Sequence, residues 1–168
     1  MARWRLDISS TITDARAKVT LNKLSQLELS AEINRLHILD TYTIESSLIS
    51  HDSVKSIASL FSNSLTQKYS LKQSLLALGD IQELTEDFEF NWIIEIGYLP
   101  GVTDNIGNTA QSTIEDFLKT PFKNGEKVYS SQVFLLNGDL TKQDIKMISM
   151  ALHNPLIQRA TALSREEL

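Results

Sequence analysis

The sequence predicts an α/β (α+β) fold made of two β-α-β-α-β halves in tandem. Three observations carry the prediction: apolar residues alternate at period two where each half begins, stripes at helical spacing follow, and the chain repeats itself. Trp4-Arg-Leu-Asp-Ile8, followed by Thr13-Asp14, parallels Trp92-Ile-Ile-Glu-Ile96, followed by Thr103-Asp104. Ser53-Val-Lys-Ser-Ile-Ala58 and Asn63-Ser-Leu65 parallel Asp144-Ile-Lys-Met-Ile-Ser149 and Asn154-Pro-Leu156, and Gln67-Lys68 or Gln158-Arg159 comes next. The period is too long and the copies too few for a solenoid. Residues 1–71 form the first half, 72–88 a connector, 89–164 the second half, and 165–168 the start of a further helix.

Each half opens on a strand, with Trp4, Leu6 and Ile8, or Trp92, Ile94 and Ile96, on one buried sheet face. Both tryptophans belong in or beside the core. The first helices carry Ala17, Leu21 and Leu24 in one half and Ile106, Ala110, Ile114, Phe117 and Leu118 in the other. Asp14 and Asp104 stand just before them, where a carboxylate accepts hydrogen bonds from free helix N–H groups and meets the helix dipole favourably. Long strands follow at Ile33 to Glu45 and Lys127 to Leu136, with β-branched and aromatic residues alternating with polar ones. The second helices place Val54, Ile57, Ala58 and Phe61, or Ile145, Ile148, Ala151 and Leu152, on one face. Asn63 and Asn154 suit their ends, because asparagine tolerates the left-handed conformation, and Pro155 cannot prolong a helix.

The connector holds Leu75, Leu76, Leu78, Ile81 and Leu84, so an ordered crossover is expected rather than a Gly/Ser tether. Glu83, Glu86, Asp87 and Glu89, at its end and just beyond, are the densest charge cluster, which reads as solvated. Two such halves can share one continuous sheet or pack face to face, and the sequence leaves both arrangements open. Ser164-Arg-Glu-Glu167 has the spacing of a capping box and announces a helix continuing into a longer polypeptide.

Composition narrows the function. At 168 residues and 42% hydrophobic, the chain is large enough to bury a real core. A net charge of -5 with scattered Lys and Arg argues against a nucleic-acid partner, which needs a basic face. No apolar run reaches the ~18 residues of a membrane span. The absence of cysteine removes disulfides, thiolate metal sites and thiol nucleophiles, and fits a cytoplasmic protein. His37, His51 and His153 lack metal-ligand spacing, so no metal is expected. Gly97, Gly101 and Gly107 share one strand-to-helix turn without a phosphate-loop spacing, and Glu115 and Asp116 diverge on their helix. No catalytic or cofactor-binding residue is therefore assigned. The most individual stretch is the turn from Leu99 to Asp104, whose Pro-Gly suits a type II turn.

The string Glu-Ile-Gly-Tyr-Leu-Pro-Gly-Val-Thr-Asp-Asn-Ile-Gly-Asn-Thr-Ala-Gln from Glu95 onward resembles the first strand, turn and helix of PurS and of the PurS-like region of phosphoribosylformylglycinamidine synthases. Val128-Tyr-Ser-Ser131, Gly138-Asp-Leu-Thr141, Asn154-Pro-Leu-Ile-Gln158 and Leu163-Ser-Arg-Glu-Glu167 continue the resemblance in order. The first half resembles PurS by element pattern, with Ser10-Thr-Ile12 where the Pro-Gly turn would stand. The resemblance implies an α/β module doubled like an intramolecular PurS dimer, at the N-terminus of a glutamine-dependent, ATP-using ligase of purine biosynthesis. Such a module is not the catalyst. It helps assemble the synthetase domains, which would bind ATP and Mg, with a glutaminase domain or subunit, and helps shape ammonia transfer. The residues it implies at that interface are Leu99, Pro100, Gly101, Val102, Thr103 and Asp104. The alternative is a free-standing small-molecule-binding or regulatory α/β domain with its ligand between the halves. Self-association of the isolated module through exposed sheet edges is left open.

Overall fold

The computed structural model describes residues 2–73, 81, 84, 85 and 88–167. Their elements run β1 (Ala2–Ser10), α1 (Ala15–Leu24), β2 (Arg35–Ser46), α2 (His51–Phe61), β3 (Gln67–Lys72), β4 (Trp92–Tyr98), α3 (Asn105–Leu118), β5 (Lys127–Asn137), α4 (Lys142–Leu152) and β6 (Gln158–Ser164), then a single 3-10 turn at Arg165–Glu167. The order β-α-β-α-β thus occurs twice. All strands join one six-stranded antiparallel sheet in the order β3-β1-β2-β5-β4-β6. Of the two arrangements left open, the halves share a continuous sheet. Its central seam is the long β2·β5 ladder, from Arg35 opposite Asn137 to Glu45 opposite Lys127, with Asp40 facing Gln132 at its middle.

Strand parity sets the layers. Trp4, Leu6 and Ile8 of β1 point to the face that also carries Ile38 and Ile44 of β2, Phe134 and Leu136 of β5, and Ile94 and Ile96 of β4. The four helices cover this face, but not each its own half alone. Leu24 of α1 packs with Ile145 and Ile148 of α4 over Ile38, Ile94, Ile96, Phe134 and Leu136. Ala110 and Ile114 of α3 pack with Val54 and Ile57 of α2 over Trp4, Ile44 and Val128. The first helix of each half therefore rests on its own long strand and reaches across the seam, beside the second helix of the other half. Burial of one such Leu or Ile side chain contributes about 1.5–3 kcal/mol, so part of the stabilisation from α1 and α3 depends on the other half.

The opposite face is also covered near the seam, where Ile81, Phe88 and Phe90 pack on Leu39, Ile93, Val133 and Leu135. Within the connector Ile81, Leu84 and Phe88 are buried. Leu75, Leu76 and Leu78, and the acidic Glu83, Glu86 and Asp87, lie outside the described residues, whereas Glu89 is exposed. Because both faces of β1 are covered, every residue from Trp4 to Ser9 is buried, the odd-numbered polar ones included. That corrects the expectation of a strand buried on one face.

The helix starts follow the sequence. Asp14 accepts from Arg16 N and Asp104 from Gly107 N, while Ser50 with Ser53 and Thr141 with Asp144 form reciprocal capping boxes on α2 and α4. The helix ends do not. Asn63 and Asn154 are not left-handed, since Lys119 (φ 53) is the one non-glycine residue with positive φ among the described residues. Their side chains act instead. Asn63 Oδ1 accepts from Leu65 N at 2.9 Å, and Asn154 Oδ1 from Leu156 N at 3.1 Å. Gln67 and Gln158 close the same turn by accepting, through Oε1, from Asn63 N at 2.8 Å and Asn154 N at 2.9 Å. The repeat therefore extends to individual hydrogen bonds. In α3, Ile106 and Phe117 are 56% and 43% exposed, so the buried stripe is Gly107, Ala110 and Ile114 rather than the wider one expected. The Ser164 box is half made. Glu167 accepts from Ser164 N at 2.8 Å and closes only the 3-10 turn.

Candidate functional site

The Leu99–Asp104 turn leaves the end of β4 and leads into α3. Val102 N donates to Leu99 O at 3.1 Å and Gly101 has φ +84, the left-handed third position that a type II turn gives to glycine. Pro100, Gly101 and Thr103 are exposed and Leu99 and Val102 half-buried, so these five project together. Asp104 points the other way. It is 6% exposed and accepts from Gly107 N at 2.7 Å, Ser130 N at 2.6 Å and Ser130 Oγ at 2.7 Å. One carboxylate thus caps α3 and fastens it to β5, which orders the turn from beneath. Close approach explains Gly107. A Cβ there would stand 2.5 Å from Asp104 Oδ2 and 2.6 Å from Val128 O.

A second turn lies against the first. Leu99 N donates to Ile157 O at 2.9 Å, next to Leu156, which is 83% exposed, and Ile157, 41% exposed. Sequence reasoning did not select these two residues. The available signal was an apolar pair following Asn154-Pro155 ahead of an edge strand. The first half has the same arrangement: Thr11 N donates to Thr66 O at 2.8 Å, with Leu65 87% and Ile12 61% exposed. Each half therefore presents a rigid, hydrogen-bonded tip bearing an exposed leucine.

Charge gathers on both sides of the seam. On the helix face, the Arg16 guanidinium bridges Asp14 and Asp40, donating to each through paired nitrogens at 2.9–3.2 Å. Asp40 also accepts from Gln132 Nε2 at 3.3 Å. Burial, together with the Asp40 and Asp104 carboxylates, raises the Tyr42 phenol above its ordinary range. On the other face, Arg5 Nε donates to both Asp7 oxygens at 3.0 Å and Nη1 to Glu95 at 3.2 and 3.0 Å. Thr41 Oγ1 donates to Asp7 and Ser131 Oγ to Glu95, each at 2.6 Å. Burial works to lower the Arg5 pKa, but the Asp7 and Glu95 carboxylates outweigh it and hold the guanidinium charged. This network ties β1 to β4 across the seam, with its donors and acceptors mutually committed.

Two buried carboxylates clasp one half to the other. Glu126, before β5, accepts from Ser47 N and Oγ ahead of α2 and from Lys123 N, and its pKa is lowered to about 2, chiefly by the Ser47 hydroxyl. Asp144 at the start of α4 accepts from Ser30 N and Oγ and from Thr141 N and Oγ1, and lies well below the ordinary carboxylate range, chiefly through the Ser30 hydroxyl.

The histidines are dispersed. His37 Nε2 lies 2.8 Å from Ser9 Oγ and its pKa is lowered, first by burial. The His51 ring lies tilted against Trp4, with centroids 5.6 Å apart, and His153 Nδ1 contacts Ser149 O within its own helix end. Among the described residues no three His, Cys, Asp or Glu side chains gather as a metal site. An open polar recess of about 290 Å³ is lined by Asn34, Asn91, Asn137, Gly138 and Asp139, beside Trp92 and Leu140. Its asparagines are engaged: Gly138 N donates to Asn91 Oδ1 at 2.9 Å, and Asn34 Nδ2 to Asn137 Oδ1 at 3.4 Å. Among the described residues no helix is long and apolar enough to cross a membrane. Among the described residues, the most exposed large apolar side chains are Leu65 and Leu156, one at each tip. No family model matches the chain, and no curated protein is significantly similar to it.

Proposed function

We propose that this chain is the PurS-like N-terminal module of a phosphoribosylformylglycinamidine synthase, a cytoplasmic ligase of purine biosynthesis. It docks a glutaminase domain or subunit against the synthetase domains and supplies no catalytic group. ATP and Mg²⁺ belong to the synthetase domains. The observation that carries the reading is the turn from Leu99 to Thr103, where the sequence resemblance is densest. Asp104 stiffens this segment from within, and it is solvent-facing where a partner would meet it. Two β-α-β-α-β halves joined through one sheet, with first helices that reach across the seam, also have the form that a doubled, intramolecular PurS dimer would take.

The mechanism is positional. Ammonia released at one site must reach a second without escaping to water, and a fixed docking geometry raises its effective concentration there. A scaffold held by buried carboxylates on both sides of the seam suits that task better than a mobile linker.

The test is sedimentation of the chain with the synthetase and glutaminase parts from the same source, in glutamine and nucleotide. Co-sedimentation with restored glutamine-dependent activity is expected. Leu156→Asp, at an 83% exposed site, should weaken that association at least ~10-fold without changing the melting temperature. Absence of association under all conditions would overturn the reading.

A further inference from the structure

The two outer edges of the sheet, β3 and β6, differ in the residues whose backbone they turn outward. Among the described residues β6 pairs with β4 alone and β3 with β1 alone, so each turns a row of backbone groups outward. Two hydrogen bonds at the ends of the β4·β6 ladder fix which groups. Leu99 N donates to Ile157 O at 2.9 Å and Arg165 N to Asn91 O at 2.8 Å, and both are directly opposed pairs in the register that runs from Trp92 and Ser164 to Tyr98 and Gln158. Hydrogen-bonded pairs alternate along an antiparallel ladder. Arg159, Thr161 and Leu163 therefore bond inward to β4, and Gln158, Ala160, Ala162 and Ser164 present their backbone outward. Two of those outward donors are taken: Gln158 N by Asn154 O at 2.8 Å and Ser164 N by Glu167 Oε2 at 2.8 Å. Ala160 and Ala162 remain, small residues at the middle of the edge.

We propose that β6 is a homodimerisation edge, pairing antiparallel with β6 of a second copy about a two-fold axis at Thr161 and fusing two six-stranded sheets into one. In that register Ala160 faces Ala162 of the second copy and the reverse, giving two hydrogen-bonded pairs of two bonds each. The exposed Thr161 faces its own counterpart, a favourable cross-strand pair. Arg159 faces Leu163, so no cation opposes a cation, and the Arg165 guanidinium is engaged 5.5 Å over the Phe90 ring. The interface closes on itself, as a two-fold pairing must.

The same construction on β3 gives different pairs. Thr11 N donates to Thr66 O at 2.8 Å in continuation of the β1·β3 register, so Tyr69 and Leu71 are its outward residues. A two-fold axis at Ser70 would set Lys68 directly opposite Lys72 of the second copy, twice. Lysine is a common guard of sheet edges, and Lys68 is exposed on this one. The second copy is therefore assigned to β6, whose central outward residues are both alanine.

Sedimentation equilibrium of the chain alone tests the inference, with no synthetase or glutaminase present, so its outcome is separate from that of the proposed function. A monomer–dimer equilibrium is expected. Ala160→Pro removes an outward N–H from each copy but none that bonds to β4, a place where an edge strand accepts proline. It should weaken the dimer about 30-fold while leaving the far-UV circular dichroism unchanged. Thr161→Lys keeps every backbone donor and sets two ammonium groups face to face, and it should weaken the dimer as well. A monomer at every concentration up to ~1 mM, or dimers indifferent to both substitutions, would overturn the proposal. So would open-ended growth, which signals head-to-tail pairing of β3 with β6.

Discussion

Gly107 sits in the first turn of α3, and replacing a helix glycine with alanine ordinarily stabilises by about 1 kcal/mol. Here the added methyl would meet Asp104 Oδ2 at 2.5 Å and Val128 O at 2.6 Å. Neither atom can yield cheaply. The carboxylate is committed to Gly107 N, Ser130 N and Ser130 Oγ, and the carbonyl belongs to β5. Overpacking of this kind costs about 1–3 kcal/mol, and losing two of the Asp104 hydrogen bonds adds about 1 kcal/mol each. Against the intrinsic gain, Gly107→Ala should destabilise by about 2–4 kcal/mol. In a domain of this size that lowers the melting temperature by about 5–15 °C. Thermal denaturation followed by circular dichroism reads it, with Ser112→Ala on the exposed side of the same helix as a control expected to be neutral or slightly stabilising. A Gly107→Ala protein melting at or above the parent temperature would refute the account of how Asp104 orders the turn.

Two further outcomes concern charge. Glu126 falls from 4.5 to about 2 in the folded protein. A carboxylate depressed by folding contributes stability that is complete above its unfolded pKa and lost as pH falls through the folded one. Urea midpoints should therefore drop between about pH 4.5 and about pH 2, and Glu126→Gln should flatten part of that fall; an unaltered slope would mean that Glu126 does not clasp the halves. Arg5→Met leaves Asp7, 2% exposed, without its cation, and should cost about 3–5 kcal/mol in chemical denaturation. Adding Asp7→Asn should recover much of that loss, and simple additivity of the two substitutions would count against the network.

What was legible in the sequence was local. Period-two alternation placed the strands, Asp14 and Asp104 announced their helix starts, and Pro100-Gly101 announced its turn, because each depends on residues a few positions apart. The Asn63 and Asn154 positions were found, but their mechanism was misjudged: an asparagine side chain can satisfy the following amides while its backbone stays out of the left-handed region. Pairing at long range was not legible. Arg5 and Glu95 meet only because β1 and β4 flank the same two-strand seam, and no local pattern in Trp4 to Ile8 distinguishes a polar residue facing water from one facing a carboxylate across the sheet. For the same reason the exposure of Ile106 and Phe117 was hidden, since it follows from how α3 lies along the seam.

The packing of α1 and α3 across the seam has an effect on how the molecule can change. In an assembly of two identical subunits, any substitution appears at both symmetry-related places at once, so a residue useful at one and harmful at the other cannot be kept. With both halves on one chain the two places vary separately, while each still furnishes a wall of the other's interior. One end can therefore hold Pro100-Gly101 above a threefold-bonded aspartate while its counterpart holds Thr11-Ile12 with Asp14 turned toward Arg16. The near-symmetric frame thereby supports two chemically different ends.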